Sequence, residues 1–429
     1  MVHRYGHDVV LRMDNMYYHL YVEKFDRHEK ILLLDFVTSY EFASFLRHHD
    51  YGNYVNRIGS MLLMQLPASV ELSVKEGAVY KVPSEQFLNI HWTMDNAAFD
   101  DEIPPAIGFS VNMQGENDRQ ILQFQGEAVF NLRDLFWREV PAKRFCHRIW
   151  SKGNESEGYP LNHLRGDLEL VVKNVGQGNW NEIRMNGHCH VTFDLGTDMY
   201  ASVNDCKKLL ENTYWGEPNC FQADKPCLII SHWDIDHYNL LTVVDDIALE
   251  RLSAVYVPES CITLTAKNVA DRLMHCCPNL FVVYAKKDHL IKRQVSLRVL
   301  AQGHYFILFC GESAASLNLS GLALVVWGSS GAAFLSADHS YGQVFTNMVD
   351  AFSNAVNGSM LPMHLVVPHH GGKAGTIPPL TQPVIYGRAI VSVGKNQWGH
   401  PISYVRNTLT KRFTWERTDY VGGDISVQL

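Results

Sequence analysis

Four of the six residues from His232 to His237 can bind a metal ion: His232, Asp234, Asp236 and His237, in the run Ser231-His-Trp-Asp-Ile-Asp-His237. Aspartate and histidine offer the oxygen and nitrogen donors that suit zinc, manganese or iron. The run follows Leu228-Ile-Ile230, apolar enough for a buried strand, so the donors lie where a strand gives way to a loop. From such a loop, alternate residues can turn into one cavity while the bulky Trp233 and Ile235 pack elsewhere. A solvated acidic loop has no need to begin at the end of a buried strand.

Further donors are expected at later strand ends. Phe334-Leu-Ser-Ala leads to Asp338, and Leu365-Val-Val-Pro leads to His369 and His370, followed by Gly371 and Gly372, which let backbone approach closely. Ala389-Ile-Val-Ser-Val393 precedes Gly399-His400-Pro401, and Val191-Thr-Phe ends at Asp194. One aspartate after a strand is usually a turn residue or a helix cap. Several acid or histidine sites, each closing a strand and taken in chain order, describe one shared site.

The elements that position these residues fill the C-terminal part, residues 165–429. Strands are expected at Leu168–Val172, Val191–Asp194, Leu228–Ser231, Ala254–Val257, Phe281–Tyr284, Tyr305–Phe309, Leu365–Val367 and Ala389–Val393, with helices over Val203–Tyr214 and Thr265–Cys277. The uncharged stretch from Ser313 to Ala337 imitates a membrane span. Gly328-Ser-Ser-Gly331 interrupts it, so it reads as a buried hairpin of Leu322–Trp327 and Ala332–Leu335. The pattern fits a layered α/β sandwich.

Residues 1–155 form a β-rich accessory domain by the same reading, with short runs such as Tyr17–Val22, Ile31–Leu34, Val70–Val74, Ala78–Val82 and Ile107–Val111 and one helix near Ser39–Arg47. No catalytic constellation occurs there. Arg133–Lys152 is basic and interleaved with aromatic residues, and reads as a solvated connecting segment. The polar stretch Gly153–Pro160 marks the boundary.

Composition narrows the class. Charged residues make up 19% and apolar residues 46% of 429, and the net charge is −8. That describes a folded, core-rich chain and argues against a protein coated in positive charge for duplex nucleic acid. The nine cysteines include no Cys-x-x-Cys pair, and Met1–Asp8 lacks the apolar core of a signal peptide. Reduced thiols in the cytoplasm, away from membranes, are the expectation.

Taken in order, Val175-Gly-Gln-Gly178, Asp194-Leu-Gly196, His232 to His237, Asp338, His369-His-Gly371, Ser392-Val-Gly-Lys-Asn396 and Gly399-His-Pro401 resemble the metallo-β-lactamase superfamily, specifically the branch of the competence protein ComEC. The tail, Arg417-Thr-Asp419 and Gly422-Gly-Asp-Ile425, resembles it too. The resemblance covers Leu168 to Leu429. It implies an αββα sandwich with two divalent ions, zinc or manganese, at one edge. One ion would sit with His232 and Asp234, the other with Asp236 and His237. Asp338 would bridge them or lie beside the second, and one of His369 and His370 would complete the set. Asp194 would orient a ligand, His400 would contact substrate or donate a proton, and Asp236 would take the proton of the attacking water.

Where the branch carries aspartate before and after Val175-Gly-Gln-Gly178, this chain has Asn174 and Asn179. Two amides in place of carboxylates are expected to make the site less negative and to weaken metal binding. Asn318 falls near the place of a further histidine ligand of other branches, Ala337 stands where glycine is usual, and Tyr238-Asn-Leu-Leu241 replaces a glycine-containing turn. The activity this implies is hydrolysis of a phosphodiester by a metal-activated hydroxide, with nucleic acid or a nucleotide as substrate. Lys373, Lys395 and Asn396, with Arg388, Arg406, Lys411 and Arg412, are the candidates to meet phosphates. Two other readings remain: a hydrolase of a small ester, lactone or signalling nucleotide, and a weakly catalytic binding subunit that meets a protein partner through the N-terminal domain.

Overall fold

The computed structural model describes residues 17–26, 31–38, 60–65, 79–83, 91–94, 106–112, 146–149, 160–199, 201, 203–213, 215, 226–258, 264–277, 279–283, 296–311, 320–356, 360–379, 384–394 and 399–429. The helix expected near Ser39–Arg47, the strand at Val70–Val74, most of Arg133–Lys152, and Asn318, Lys395 and Asn396 lie outside the described residues. The chain divides into two compact units: residues 1–141 with 200–208 and 261–272, and residues 142–199 with 209–260 and 273–429.

The first unit carries six strands: β1 (Tyr17–Asp26), β2 (Ile31–Thr38), β3 (Ser60–Gln65), β4 (Val79–Pro83), β5 (His91–Met94) and β6 (Ala106–Asn112), in the order β4-β1-β2-β3-β6-β5. All neighbours are antiparallel except β3 and β6. Tyrosine, leucine and valine dominate β1 and β2, the residue types that suit a pleated surface.

The second unit holds two sheets. The first comprises β7 (Cys146–Ile149), β8 (Leu168–Val172), β9 (Asn181–Met185), β10 (His188–Phe193), β11 (Cys227–Ile229), β12 (Ala254–Pro258), β13 (Leu280–Val283) and the last strand, β21 (Ile425–Gln428). Its order is β21-β8-β9-β10-β11-β12-β13-β7. From β10 to β7 the neighbours run parallel. Parallel neighbours need crossover connections, and these carry α1 (Val203–Thr213), α2 (Ile235–Tyr238), α3 (Asp246–Glu250) and α4 (Leu264–Cys276). The second sheet runs β14 (Leu297–Gln302), β15 (Phe306–Gly311), β16 (Leu322–Trp327), β17 (Ala332–Leu335), β18 (Pro362–Val366), β19 (Ile385–Val391), β20 (Thr414–Arg417), with β17 to β20 parallel. A π-helical stretch, Gln343–Met348, continues into α5 (Val349–Ala355); α6 (Ser403–Leu409) and α7 (Thr418–Val421) follow later.

Alternation along the strands makes the layers. Leu324, Leu335, Val366 and Ile390 face the first sheet, where they meet Leu170, Phe193, Ile229 and Tyr256. Their neighbours Val325, Phe334, Leu365 and Val391 face the other way and pack under Phe345, Val349, Phe352, Val405 and Leu409 of the helical layer. Strands buried on both faces read as continuous apolar runs, which is why β16 and β17 imitate a membrane span. They pair as the antiparallel hairpin expected, and among the described residues no helix is long and apolar enough to cross a membrane. Two facing sheets with helices packed on the second make the layered α/β sandwich expected from the sequence.

Several strands escape the apolar-run criterion. β9 and β20 are short and polar, β14 is buried only at Leu297 and Ala301, and β21 is buried only at alternate positions. One signal for β9 is present: Asn186-Gly187 is a two-residue hairpin loop, with φ of 54° and 81°, the pair such a turn prefers.

His364 on β18 is buried, and its Nδ1 accepts the Arg388 backbone N–H at 3.2 Å. Burial, and then the Arg388 charge, push its imidazole from 6.5 down to about 4. Because the folded value lies below the unfolded one, the stability gained by keeping His364 neutral is complete above pH 6.5 and is lost as pH falls from 6.5 towards 4. The melting temperature should fall across this window, and less steeply in His364→Asn; equal slopes would show that His364 does not contribute.

Candidate metal centre

The site is assembled at the carboxyl ends of parallel strands from both layers, where open α/β sheets leave a crevice. β11 ends at Ile229 and the chain stays extended to Asp234, the residue before α2. The Ser231 carbonyl accepts the Leu322 N–H at 2.7 Å, which ties this segment to β16 of the other sheet. Trp233 turns away, donating its indole N–H to the Pro258 carbonyl at 2.9 Å and meeting Tyr238 edge-on. Asp236 and His237 follow in the single turn of α2, both buried. Consecutive residues of a helical turn therefore reach the site, rather than only alternate residues of a loop. The residues after His237 have work of their own: Asn239 accepts the Thr197 N–H at 2.8 Å and donates to the carbonyls of Thr197 and Asp198.

Asp194, at the end of β10, is fully buried with a left-handed φ of 58°. Its carboxylate accepts from the Ser231 N–H (2.6 Å), the Ser231 hydroxyl (2.8 Å), the Asn179 amide (2.7 Å) and His237 Nδ1 (2.8 Å). The Ser231 hydroxyl also lies 2.9 Å from His232 Nδ1. One proton order satisfies the network: His237 Nδ1 and Ser231 Oγ donate to Asp194, and His232 Nδ1 donates to Ser231 Oγ. Nε2 of both histidines is then turned into the site. Asn179 and Gly196 brace this arrangement, for the Asn179 N–H donates to the Asp236 carbonyl at 2.9 Å. A Cβ on Gly196 would lie 1.9 Å from that same carbonyl oxygen.

The other layer supplies Asp338, His369 and His370. His369, His370 and Gly371 are all left-handed, with φ of 52°, 50° and 79°. This turn sends the two imidazoles in different directions. His370 is buried, its Nδ1 lies 3.2 Å from the Ser392 carbonyl, and its Nε2 lies 3.4 Å from Asp236 Oδ2. His369 is partly exposed; its Nδ1 contacts Asp338 Oδ2, and its ring lies 5.3 Å from that of His400. Gly372 leaves room for that pair: a Cβ there would lie 2.4 Å from His400 Cε1 and 2.6 Å from His369 Cδ2.

Two groups of donors result. His232, His237 and Asp338 form one, and Asp236, His237 and His370 the other; the ligand atoms of each lie within 4.8 Å of one another, and all five residues are buried. Asp338 Oδ1 is 3.4 Å from His237 Nε2 and Oδ2 is 3.8 Å from His232 Nε2, while Asp234 Oδ2 is 3.3 Å from His232 Nε2. Nε2 of His232, His237 and His370 is buried without a hydrogen-bond partner. Leaving three such nitrogens unsatisfied is costly, and a divalent cation among the carboxylates removes the cost. The donor set fits such an ion. Electrostatics agree: burial alone would push His237 down, but Asp194, Asp236 and Asp338 hold it well above 6.5. Burial would push Asp338 up, but His369 and His237 hold it well below the ordinary carboxylate range.

Of the residues expected here, His232, Asp234, Asp236, His237, Asp338, His369 and His370 come together, with Asp194 and Asn179 behind them and His400 at the open side. Asn174 donates its backbone N–H to Asp424 at 2.9 Å at the end of β8. Lys373 is exposed beside Gly372, and Arg406, Lys411 and Arg412 are exposed on and after α6. Arg388 pairs with Glu416 at 3.4 Å. The sequence reading overlooks His339, which is fully buried next to Asp338; burial and then His232 push its imidazole down to about 4. Its position directly after a strand-end aspartate is the signal that was available.

No family model and no curated protein matches the sequence. Solved structures do match, at low similarity. They include the metallo-β-lactamase fold protein YhfI from Bacillus subtilis (11% identity, TM-score 0.32, covering 61% of this chain and 100% of that one). CmlA, a diiron β-hydroxylase from Streptomyces venezuelae, matches at 14% identity and TM-score 0.33 over 62% of this chain. The match spans about half of CmlA, 55% of its chain.

Asp194→Asn sets an amide N–H against groups that need an acceptor. It should lower the melting temperature and weaken cation binding by about 10–100-fold, the usual cost of losing a ligand's outer partner. Thermal unfolding and chelator competition measure the two effects, and an unchanged affinity would remove Asp194 from the site's support.

Proposed function

We propose that the chain is a metal-dependent hydrolase acting on phosphodiesters, with nucleic acid or a nucleotide as substrate. The observation that carries the reading is the convergence of three unpartnered buried imidazole nitrogens, of His232, His237 and His370, on the carboxylates of Asp236 and Asp338. The phosphate preference is supported by Lys373, Arg406, Lys411 and Arg412, which are exposed and have no ion-pair partner among the described residues.

His232, Asp234 and Asp338 would hold one zinc or manganese ion, and Asp236, His237 and His370 the other. Bound divalent ions lower the pKa of water and polarise a phosphoryl oxygen. The chain's own residues do the rest. Asp194 and the Ser392 carbonyl fix the imidazoles of His237 and His370 through Nδ1, which orients Nε2. Asp236 is the carboxylate to take the proton of the attacking water. His400 turns its Cε1–Nε2 edge towards Gly372 beside His369, where it would hand a proton to the leaving oxygen. His237 has one Nε2 and lies within reach of both donor groups, so assigning it to the second ion would leave the first with His232 and two carboxylates and the weaker hold.

Elemental analysis of the purified protein should find a divalent metal, and Asp236→Ala and His370→Ala should each lose metal and phosphodiester hydrolysis together. Gly372→Ala, which crowds His369 and His400, should keep the metal and lose turnover. Absence of metal, or unchanged turnover in Asp236→Ala, overturns the reading. Cleavage of a p-nitrophenyl phosphodiester without cleavage of oligonucleotides, and without competition from them, would restrict the substrate to small esters.

A further inference from the structure

Asn179 is 4% exposed, and both ends of its side chain are engaged. Its Nδ2 donates to Asp194 Oδ2 at 2.7 Å, and its Oδ1 accepts from Asn181 Nδ2 at 2.7 Å. Asn181 is 1% exposed. Asp194 can only accept, so the Asn179 amide must present its NH2 to Asp194 and its oxygen to Asn181. The direction of the whole chain, Asn181 to Asn179 to Asp194, is therefore fixed by one charge. The same Asp194 oxygen receives His237 Nδ1 at 2.8 Å, with Asn179 Nδ2 only 3.4 Å from that nitrogen.

We propose that Asn179 is a positioning residue of the metal centre, acting through Asp194 on His237, and that its neutrality is what the site requires. The proposal rests on the reading of these residues as a cation site. It opposes simple charge counting, in which an amide here makes the site less negative and weakens metal binding. A carboxylate at position 179 has no N–H to give Asp194. Two carboxylates at 2.7 Å repel, which pushes Asp194 off His237, or share a proton, which draws charge from Asp194 and makes it a poorer acceptor for His237 Nδ1. The added charge thus costs a ligand's orientation, and it arrives behind the imidazole rather than beside the ion.

The test is the sign of one change. Zinc affinity by chelator competition should fall about 10–100-fold in Asn179→Asp, as for other outer partners of metal-bound histidines, whereas charge counting expects it to rise. Asn181→Ala, which removes the bond that holds the Asn179 oxygen without touching any ligand, should give a smaller loss in the same direction. Equal or tighter binding in Asn179→Asp overturns the proposal. A wild-type protein that binds no zinc overturns the metal reading instead, and there the His237 Nδ1–H decides. This proton should give a slowly exchanging downfield proton resonance in the wild type that is lost in Asn179→Asp; its survival unchanged in that variant refutes the role of Asn179 whatever the metal result.

Discussion

The buried carboxylate of Asp194 joins three stretches of chain at one point. It gathers the Ser231 N–H and hydroxyl from the end of β11, the imidazole of His237 from α2, and the amide of Asn179 from the loop between β8 and β9. An uncompensated carboxylate could not be buried there; with four donors it becomes the fixed point to which the loops are referred. It also settles the tautomers. With Nδ1 of His237 and His232 committed behind the site, Nε2 of each is turned to the front. The geometry of the first layer's half of the site follows from one charge placed where water cannot reach it.

The second layer reaches the same end by strain. Among the described residues, five non-glycine positions have positive φ, and four of them, Asp194, Ala337, His369 and His370, border the site. Each costs on the order of 1 kcal/mol, so they persist only because the surroundings hold them. The His369 N–H donates to the Ala337 carbonyl at 3.0 Å, and Gly371 accepts the Ile402 N–H at 3.0 Å. These bonds lock the left-handed turn that spreads two adjacent imidazoles. Ala337 bears without a glycine a conformation for which glycine is suited.

The fold was legible in the sequence wherever burial alone decides structure. β8, β16, β17 and both long helices follow from apolar runs or helical spacing, because a strand covered on both faces must be apolar throughout. β14 was not legible because only its Leu297 and Ala301 are buried, β21 because every second residue faces solvent, and β9 and β20 because their residues are polar. The ligands were legible as types in order along the chain. Which of His369 and His370 turns inward was not, since it depends on a left-handed turn that no pattern of side chains announces. Nor was the task of Asn179, because composition records its missing charge and not the direction of its amide.

The donors come in halves: His232, Asp234, Asp236 and His237 belong to one sheet's strand ends, Asp338, His369 and His370 to the other's. Across the sandwich those sheets meet largely through non-directional apolar contacts such as Phe193, Leu324 and Leu335, which resist separation far better than sliding. A cation held by both halves would resist sliding as well. It would act as a rivet through two plates, its binding free energy at once an affinity and a shear strength. The registry of the layers and the spacing of the donors are already a single mechanical quantity, so a change deep in the apolar interface shifts the donors without altering any of them.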